Sequence, residues 1–282
     1  MSRVSKFIYP VIFAVSILLL AILFSFGDRS MHVYFFDVGQ GDAIFIILPT
    51  KETILVDGGP DDIVLQQLGR VLPFYDRTID LMILTHPHAD HINGLIEVLK
   101  KFEVRNVMIT GVAYNDSSYD EFLSILSQNQ TPVIYLDGGS DYKLSNVIFD
   151  IIYPLRSIQG EHFENVNNSS VTFRLIYGKT VFYFSGDLEV EGEEKIIQSG
   201  LELDSDVYKA GHHGSRTSSS VEILDLIKPE YAVISCGVDN SFGHPHYETL
   251  RNFRENGIKI LRTDLEGDIH FSADLNRLLY ND

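Results

Sequence analysis

The stretch T-H-P-H-A-D-H, residues 85–91, follows the apolar run L-M-I-L at 81–84 and places three histidines and an aspartate within six positions. Such a run reads as a buried strand, so the polar cluster stands at the strand's exposed end. Neutral imidazole and carboxylate are ligands for zinc, manganese or iron. On an extended segment His86 and His88 project to the same side, because side chains alternate with a period of two. Asp90 and His91 open the following helix and face elsewhere, so the pattern suits two adjacent metals. A polar surface loop is the plainer reading of H-x-H alone. The full H-x-H-x-D-H after a buried strand favours metal.

The 282 residues accommodate a tail plus one large domain, and 45% apolar content is enough to bury a core. A formal charge of −17 argues against the broad basic surface by which most nucleic-acid binders hold phosphates. Any polyanionic substrate must therefore be held locally. The single cysteine, Cys236, excludes an intramolecular disulfide and a Cys-rich zinc module. In V-I-S-C-G it reads as a small buried strand residue.

Residues 7–26 carry no charge, and at about 1.5 Å per residue a helix of that length spans roughly the 30 Å hydrocarbon core. The run is apolar on every face, which distinguishes it from an amphipathic helix of a soluble domain. Arg3 and Lys6 precede it, while Asp28 and Arg29 after it nearly cancel, so the positive-inside bias keeps the N-terminus in the cytoplasm. The run is long for a signal peptide and no A-x-A site follows, which favours an uncleaved anchor. The expectation is a single-pass membrane protein: an anchor over residues 1–30, and one extracytoplasmic domain over 31–282.

Within that domain, H-V-Y-F-F, A-I-F-I-I-L and T-I-L-V predict an antiparallel meander. A helix over about 61–72 follows, then alternation: L-M-I-L, a helix from about Ile92, the strand V-R-N-V-M-I, a helix near 118–128, and P-V-I-Y-L. Strands at 147–152, 171–176 and 180–184 come next, and helices near 191–198, 221–227 and 247–255 close the pattern. Strand clusters with helices outside them predict a layered α/β sandwich.

Seven motifs now stand in order: F-D-V-G-Q-G-D-A (36–43), I-L-V-D-G-G (54–59), T-H-P-H-A-D-H-I-N-G-L (85–95), N-N-S-S-V (167–171), F-S-G-D-L (184–188), K-A-G-H-H-G-S-R-T-S (209–218) and F-G-H-P-H (242–246). Together they resemble the metallo-β-lactamase-fold hydrolases and, within them, the hydrolase domain of ComEC-type DNA-uptake (competence) proteins. The resemblance implies a four-layer αββα sandwich. It makes His86 and His88 ligands of one metal and Asp90 and His91 ligands of the other, with Asp187 bridging both. In H-H-G-S it implies one more ligand, His213, leaving His212 to touch substrate; the reverse assignment stays open. Many relatives place a third histidine where this chain has N-N-S-S, so an oxygen of Asn168 or Ser170 is the expected substitute, which shifts preference from zinc toward manganese or magnesium.

Two divalent ions roughly 3.5–4 Å apart acidify a bridging water and clamp both oxygens of an in-line displacement. Asp90 would orient the resulting hydroxide. Ser219 with Glu222 reads as a capping box opening a helix, and its free N–H groups, with Ser215 and Arg216, would make an anion pocket beside the metals. That pocket fits a phosphodiester. His244 and His246 are candidates for protonating the leaving oxygen or holding phosphate; packing on Phe242 and helix capping are the alternatives. V-G-Q-G-D reads as a tight hairpin turn, and Asp57 as a support for the metal loop.

The function expected is a metal-dependent phosphodiesterase or nuclease, with DNA as a substrate through the resemblance. Two alternatives stand: phosphodiesters of cell-envelope polymers, such as choline- or glycerol-phosphate groups, and a catalytically silent binding partner of an uptake machine. No protein partner is identified.

Overall fold

The computed structural model describes residues 9, 12–18 and 29–281. Residues 12–18 are helical; the rest of the expected anchor at 7–26, apart from Tyr9, lies outside the described residues. Among the described residues no helix is long and apolar enough to cross a membrane.

Strands β1 (Met31–Phe35), β2 (Ile44–Ile47) and β3 (Thr53–Val56) form the expected antiparallel meander. β3 then takes β5 (Leu81–Ile83) as a parallel neighbour, followed by β7 (Val107–Ile109) and β8 (Val133–Tyr135). With β16 (Ile269–Ala273) and β17 (Leu278–Asn281) the first sheet has eight strands, ordered β17-β16-β1-β2-β3-β5-β7-β8. The second has seven, running from β15 (Lys259–Arg262) through β14 (Tyr231–Ile234), β13 (Val207–Lys209), β12 (Thr180–Phe184), β11 (Thr172–Tyr177) and β10 (Val147–Tyr153) to β9 (Tyr142–Leu144).

Alternation along the strands decides the layers. Val33, Phe35, Ile54 and Ile83 of the first sheet meet Phe149, Phe173, Phe182 and Phe184 of the second in one buried cluster. The opposite faces are covered by helices. α1 (Ile63–Val71), α2 (Ala89–Lys101) and α3 (Ser117–Asn129) bury Leu68, Leu95 and Phe122 against Phe45, Leu55 and Met82. α4 (Val190–Ser199), α5 (Val221–Ile227) and α6 (Tyr247–Glu255) bury Ile196, Ile223 and Phe253 against Tyr208, Ala232 and Ile234. Each fully buried Leu, Ile or Phe contributes about 1.5–3 kcal/mol.

Two local readings are corrected. V-R-N-V-M-I is not one strand: β6 (Glu103–Val104) forms a small parallel ribbon with β4 (Thr78–Ile79), while β7 joins the main sheet. α2 starts at Ala89 rather than near Ile92, because His88 is the extended residue before it and its carbonyl already accepts from the Ile92 N–H at 3.0 Å. Asp90 and His91 occupy the first turn, where the motif's own reading put them.

That turn sits directly on the loop after β3. Gly58 N–H donates to the His91 carbonyl at 2.8 Å, and Gly94 N–H to the Gly59 carbonyl at 3.0 Å. A Cβ on Gly94 would lie 1.8 Å from the Gly58 oxygen. Gly94→Ala should therefore cost about 1–3 kcal/mol through overpacking, seen as a lower urea midpoint at unchanged m-value.

Candidate metal centre

β5 delivers its chain end to Thr85, and Asp57 fixes it there. The Asp57 carboxylate accepts from the Thr85 N–H at 2.8 Å and from its hydroxyl at 2.6 Å. It also accepts from His91 Nδ1 at 2.8 Å, with both side chains fully buried. A carboxylate only accepts, so the proton sits on Nδ1 and His91 Nε2 presents a lone pair. His213 is held in the same tautomer, its Nδ1 donating to the Ser235 carbonyl at 3.0 Å.

Both Nε2 atoms are buried without a hydrogen-bond partner, as is Oδ1 of Asp187. Asp187 Oδ2 lies 3.3 Å from each Nε2, and Asp90 Oδ2 lies 3.2 Å from that of His213. Ligand atoms of Asp90, His91, Asp187 and His213 all fall within 4.8 Å of one another. Carboxylate lone pairs facing Nε2 in a buried space need positive charge between them, which either a proton on each Nε2 or a metal ion supplies. Burial alone would lower the pKa of His91 and His213, but Asp187 with Asp57 and Asp90 around the first, and Asp187 with Asp42 around the second, raise both well above the usual value. The same field favours a divalent ion, whose binding displaces such protons. The donor set, two imidazoles and two carboxylates, suits zinc or manganese.

His86 and His88 form the edge of this group. Their Nε2 and Nδ1 atoms are 3.0 Å apart, and His86 Nε2 is 4.0 Å from Asp187 Oδ2. The two halves of the motif meet here, with the His86 and His91 rings 4.2 Å apart. The early helix start brings them together at Asp187.

A family model for the metallo-beta-lactamase superfamily matches residues 36–238, an interval that contains all six of these side chains. The chain belongs to the metallo-beta-lactamase superfamily. Curated relatives include ComE operon protein 3 of Bacillus subtilis, 27% identical over 83% of this chain and 32% of that protein, and Competence protein ComA of Neisseria gonorrhoeae, 29% identical over 86% and 32%. The chain thus spans about a third of the length of these relatives. Among solved structures, the metallo-beta-lactamase fold protein YhfI of Bacillus subtilis superposes with a TM-score of 0.57 at 12% identity, covering 87% of this chain and 100% of that one.

For this member of the superfamily the remaining expected residues divide. His213 is buried in the cluster, whereas His212 stands at its mouth, with Nδ1 3.2 Å from Glu189 and its ring 5.4 Å from that of His244. Asn168 does not offer an oxygen to the first pair. Its amide is consumed in accepting from the Glu189 N–H at 3.2 Å and donating to Glu191 at 2.9 Å. Ser170 Oγ accepts from the Asp187 N–H at 3.1 Å, so it orients the carboxylate instead. The buried amide oxygen without a partner in this segment is that of Asn167.

The anion pocket is also corrected. Ser220, not Ser219, caps α5, its Oγ accepting from the Ile223 N–H. Ser219 turns away at φ 61°. The Ser219 and Ser220 N–H groups donate to the buried Glu193 carboxylate at 2.6 and 3.0 Å, so the chain fills the pocket itself. Ser215 is buried with its hydroxyl 3.0 Å from that of Thr217. Arg216 is exposed and loosely paired with Glu248 at 3.9 Å. His246 precedes α6 but makes no side-chain cap; its Nδ1 accepts from the Arg216 N–H at 3.0 Å. His244 stacks on Phe242 at 5.7 Å and also lies 6.3 Å from His213. Burial, then the neighbouring His213, His212 and His246, push its pKa down to about 4.

The residues that sequence reading missed are Asp42 and Lys209. Lys209 Nζ lies 2.6 Å from Asp42 Oδ2, both about 1% exposed, and Asp42 Oδ1 lies 3.3 Å from His213 Nδ1. V-G-Q-G-D is therefore more than a hairpin turn. The available signal was a charged residue inside the apolar run V-Y-K-A.

Asp187→Asn and His213→Ala should each lower the metal content of the purified protein, while His212→Ala should leave it near wild type, as read by elemental analysis. Asp42→Ala should cost about 3–5 kcal/mol by stranding a buried ammonium, and Asp42→Leu with Lys209→Met should regain most of it in denaturant titration. The Asp42 carboxyl is held below its ordinary 3.8: burial would raise it, but Lys209 and His213 outweigh that. Its stabilising share is therefore complete above that pH and lost as the pH falls through the folded value, so the double variant should show a flatter acid-unfolding profile.

Proposed function

We propose that this chain is a membrane-anchored, extracytoplasmic phosphodiesterase that uses two divalent ions, with DNA as its first candidate substrate. The observation that carries the reading is the convergence of unpartnered nitrogen and oxygen atoms from His91, His213 and Asp187 in a buried space. In this reading His86, His88 and Asp187 would hold one ion, and Asp90, His91 and His213, with Asp187, would hold the other. Bound ions would supply Lewis acidity at a phosphoryl oxygen and acidify the attacking water.

The chain's own groups do the rest. Asp57 and the Ser235 carbonyl keep both imidazoles in the tautomer that presents Nε2. Asp90, 31% exposed at the mouth, orients water entering from solvent. His212, steadied by Glu189, faces the leaving group, and His244, neutral near pH 7, donates a hydrogen bond to a phosphoryl oxygen. Arg216 is free to swing from Glu248 to a substrate phosphate.

The DNA assignment is supported by the competence names of two relatives. The anchor reading rests on the uncharged run at 7–26 behind Arg3 and Lys6. The charge of −17 supports a second reading, cleavage of short or zwitterionic phosphodiesters of envelope polymers. A buried cluster of unpartnered donor atoms argues against a silent binding role.

The full chain with manganese or zinc should hydrolyse bis(p-nitrophenyl) phosphate, lose that activity in chelator and regain it on adding metal. Single-stranded DNA and choline-phosphate polymers then discriminate the two substrate readings. Arg216→Ala should lower kcat/KM for the phosphodiester by on the order of 1–3 kcal/mol and spare a neutral lactone. Equal loss on both would make Arg216 structural, and a wild-type preference for the lactone would overturn the phosphodiesterase assignment.

A further inference from the structure

The turn between α1 and β4 (Thr78–Ile79) presents Phe74 and Tyr75 to solvent at 89% and 75% exposure. It is an ordered turn, closed by the Asp76 N–H donating to the Pro73 carbonyl at 2.8 Å and fastened by Asp76 Oδ1 accepting from Thr78 N–H at 3.1 Å. The two rings meet edge to face at 5.3 Å. Turn tips usually carry Gly, Asn, Asp or Ser, and two adjacent exposed aromatics lose the benefit of burial unless something covers them.

The sheet register places Asp80, five residues after Tyr75, at one end of the first sheet. β1, β3 and β5 run the same way, and their C-terminal ends lead to the metal centre. Their N-terminal ends form the opposite edge of the sheet. There His32 pairs with Ile47, Ile47 with Thr53, and Thr53 exchanges hydrogen bonds with Asp80, two residues after the turn's own strand begins. Met31 and Asp80 are thus three strand spacings apart, roughly 14 Å. Residues 7–26, with no charge among them, join the domain at Met31 through only four residues.

We infer that the Phe74–Tyr75 turn docks into the interfacial layer of the same bilayer that residues 7–26 enter, holding the domain with its metal centre facing away from the membrane. The inference rests on the anchor reading above. Aromatic rings favour the headgroup boundary, where an apolar ring is buried while a phenol hydroxyl stays hydrated. A second contact beside the anchor turns a flexible tether into a fixed orientation, since the tether already raises the local concentration of the turn at the surface.

The chain contains no tryptophan, so one introduced indole reports alone. Tyr75→Trp and Val238→Trp are compared in the full chain, reconstituted in vesicles of phosphatidylethanolamine with a minor share of phosphatidylglycerol. Val238 is 69% exposed and follows Gly237, whose N–H donates to Gln40 at the metal-centre end. The expected result is emission from the Tyr75→Trp protein that is blue-shifted and quenched by acyl-chain-brominated lipid, with neither change for Val238→Trp. Co-sedimentation with vesicles but no quenching of Tyr75→Trp, or equal quenching of both, would overturn the docking and leave the anchor standing. A blue shift that follows protein concentration in detergent and ignores lipid would assign the turn to a second copy and overturn it as well. Failure of the full chain to co-sediment would remove the anchor reading and this inference together.

Discussion

One buried carboxylate organises this site. Asp57 accepts from the backbone and hydroxyl of Thr85 and from the ring of His91, and so joins the end of β5 to the first turn of α2. Were it absent, the strand end would lose its fixed exit angle and His91 its tautomer in the same stroke. Such outer carboxylates commonly orient a metal-binding imidazole and raise its basicity. The close glycine contact between Gly58 and Gly94 serves the same junction, since any side chain there would lift α2 away from the loop that carries Asp57.

The second sheet answers this junction with its own. Asp187 leaves β12 with its N–H held by Ser170, and His213 leaves β13 with its Nδ1 held by Ser235. The sandwich brings these two strand ends opposite the His86–His91 turn, so the cluster exists only where strand ends of both sheets meet. Lys209 and Asp42 cross that same gap as an ion pair. A pair so buried is costly to desolvate and strongly destabilising to break, which makes it a register pin between the layers beside the ligands.

Glu193 decides what the start of α5 can offer to an anion. By occupying the Ser219 and Ser220 N–H groups, it closes a position where backbone dipoles would otherwise attract phosphate. The cationic and imidazole side chains left at the mouth are His212, Arg216, His244 and His246, in a chain of net charge −17. On the phosphodiesterase reading, selection would rest on local chemistry more than on long-range attraction.

Much of this was legible in local spacing. The two-residue period of H-x-H, the meander and the helices at 221–227 and 247–255 depend on neighbouring residues, and strand and helix periodicities report them directly. The split of V-R-N-V-M-I was not legible, because it depends on which strand each half pairs with. Nor was the cap of α5: Ser219 and Ser220 carry the same hydroxyl, and only the distant Glu193 decides which turns in. By itself the sequence determined the donor types and their order along the chain. Only the tertiary structure decided that His213 rather than His212 enters the cluster, that Asn168 is already spent on α4, and that Asp42 meets Lys209. Those outcomes are choices among partners far apart in the chain, and the energy that selects them, the cost of burying an unpaired polar group, appears only once the two sheets close over it.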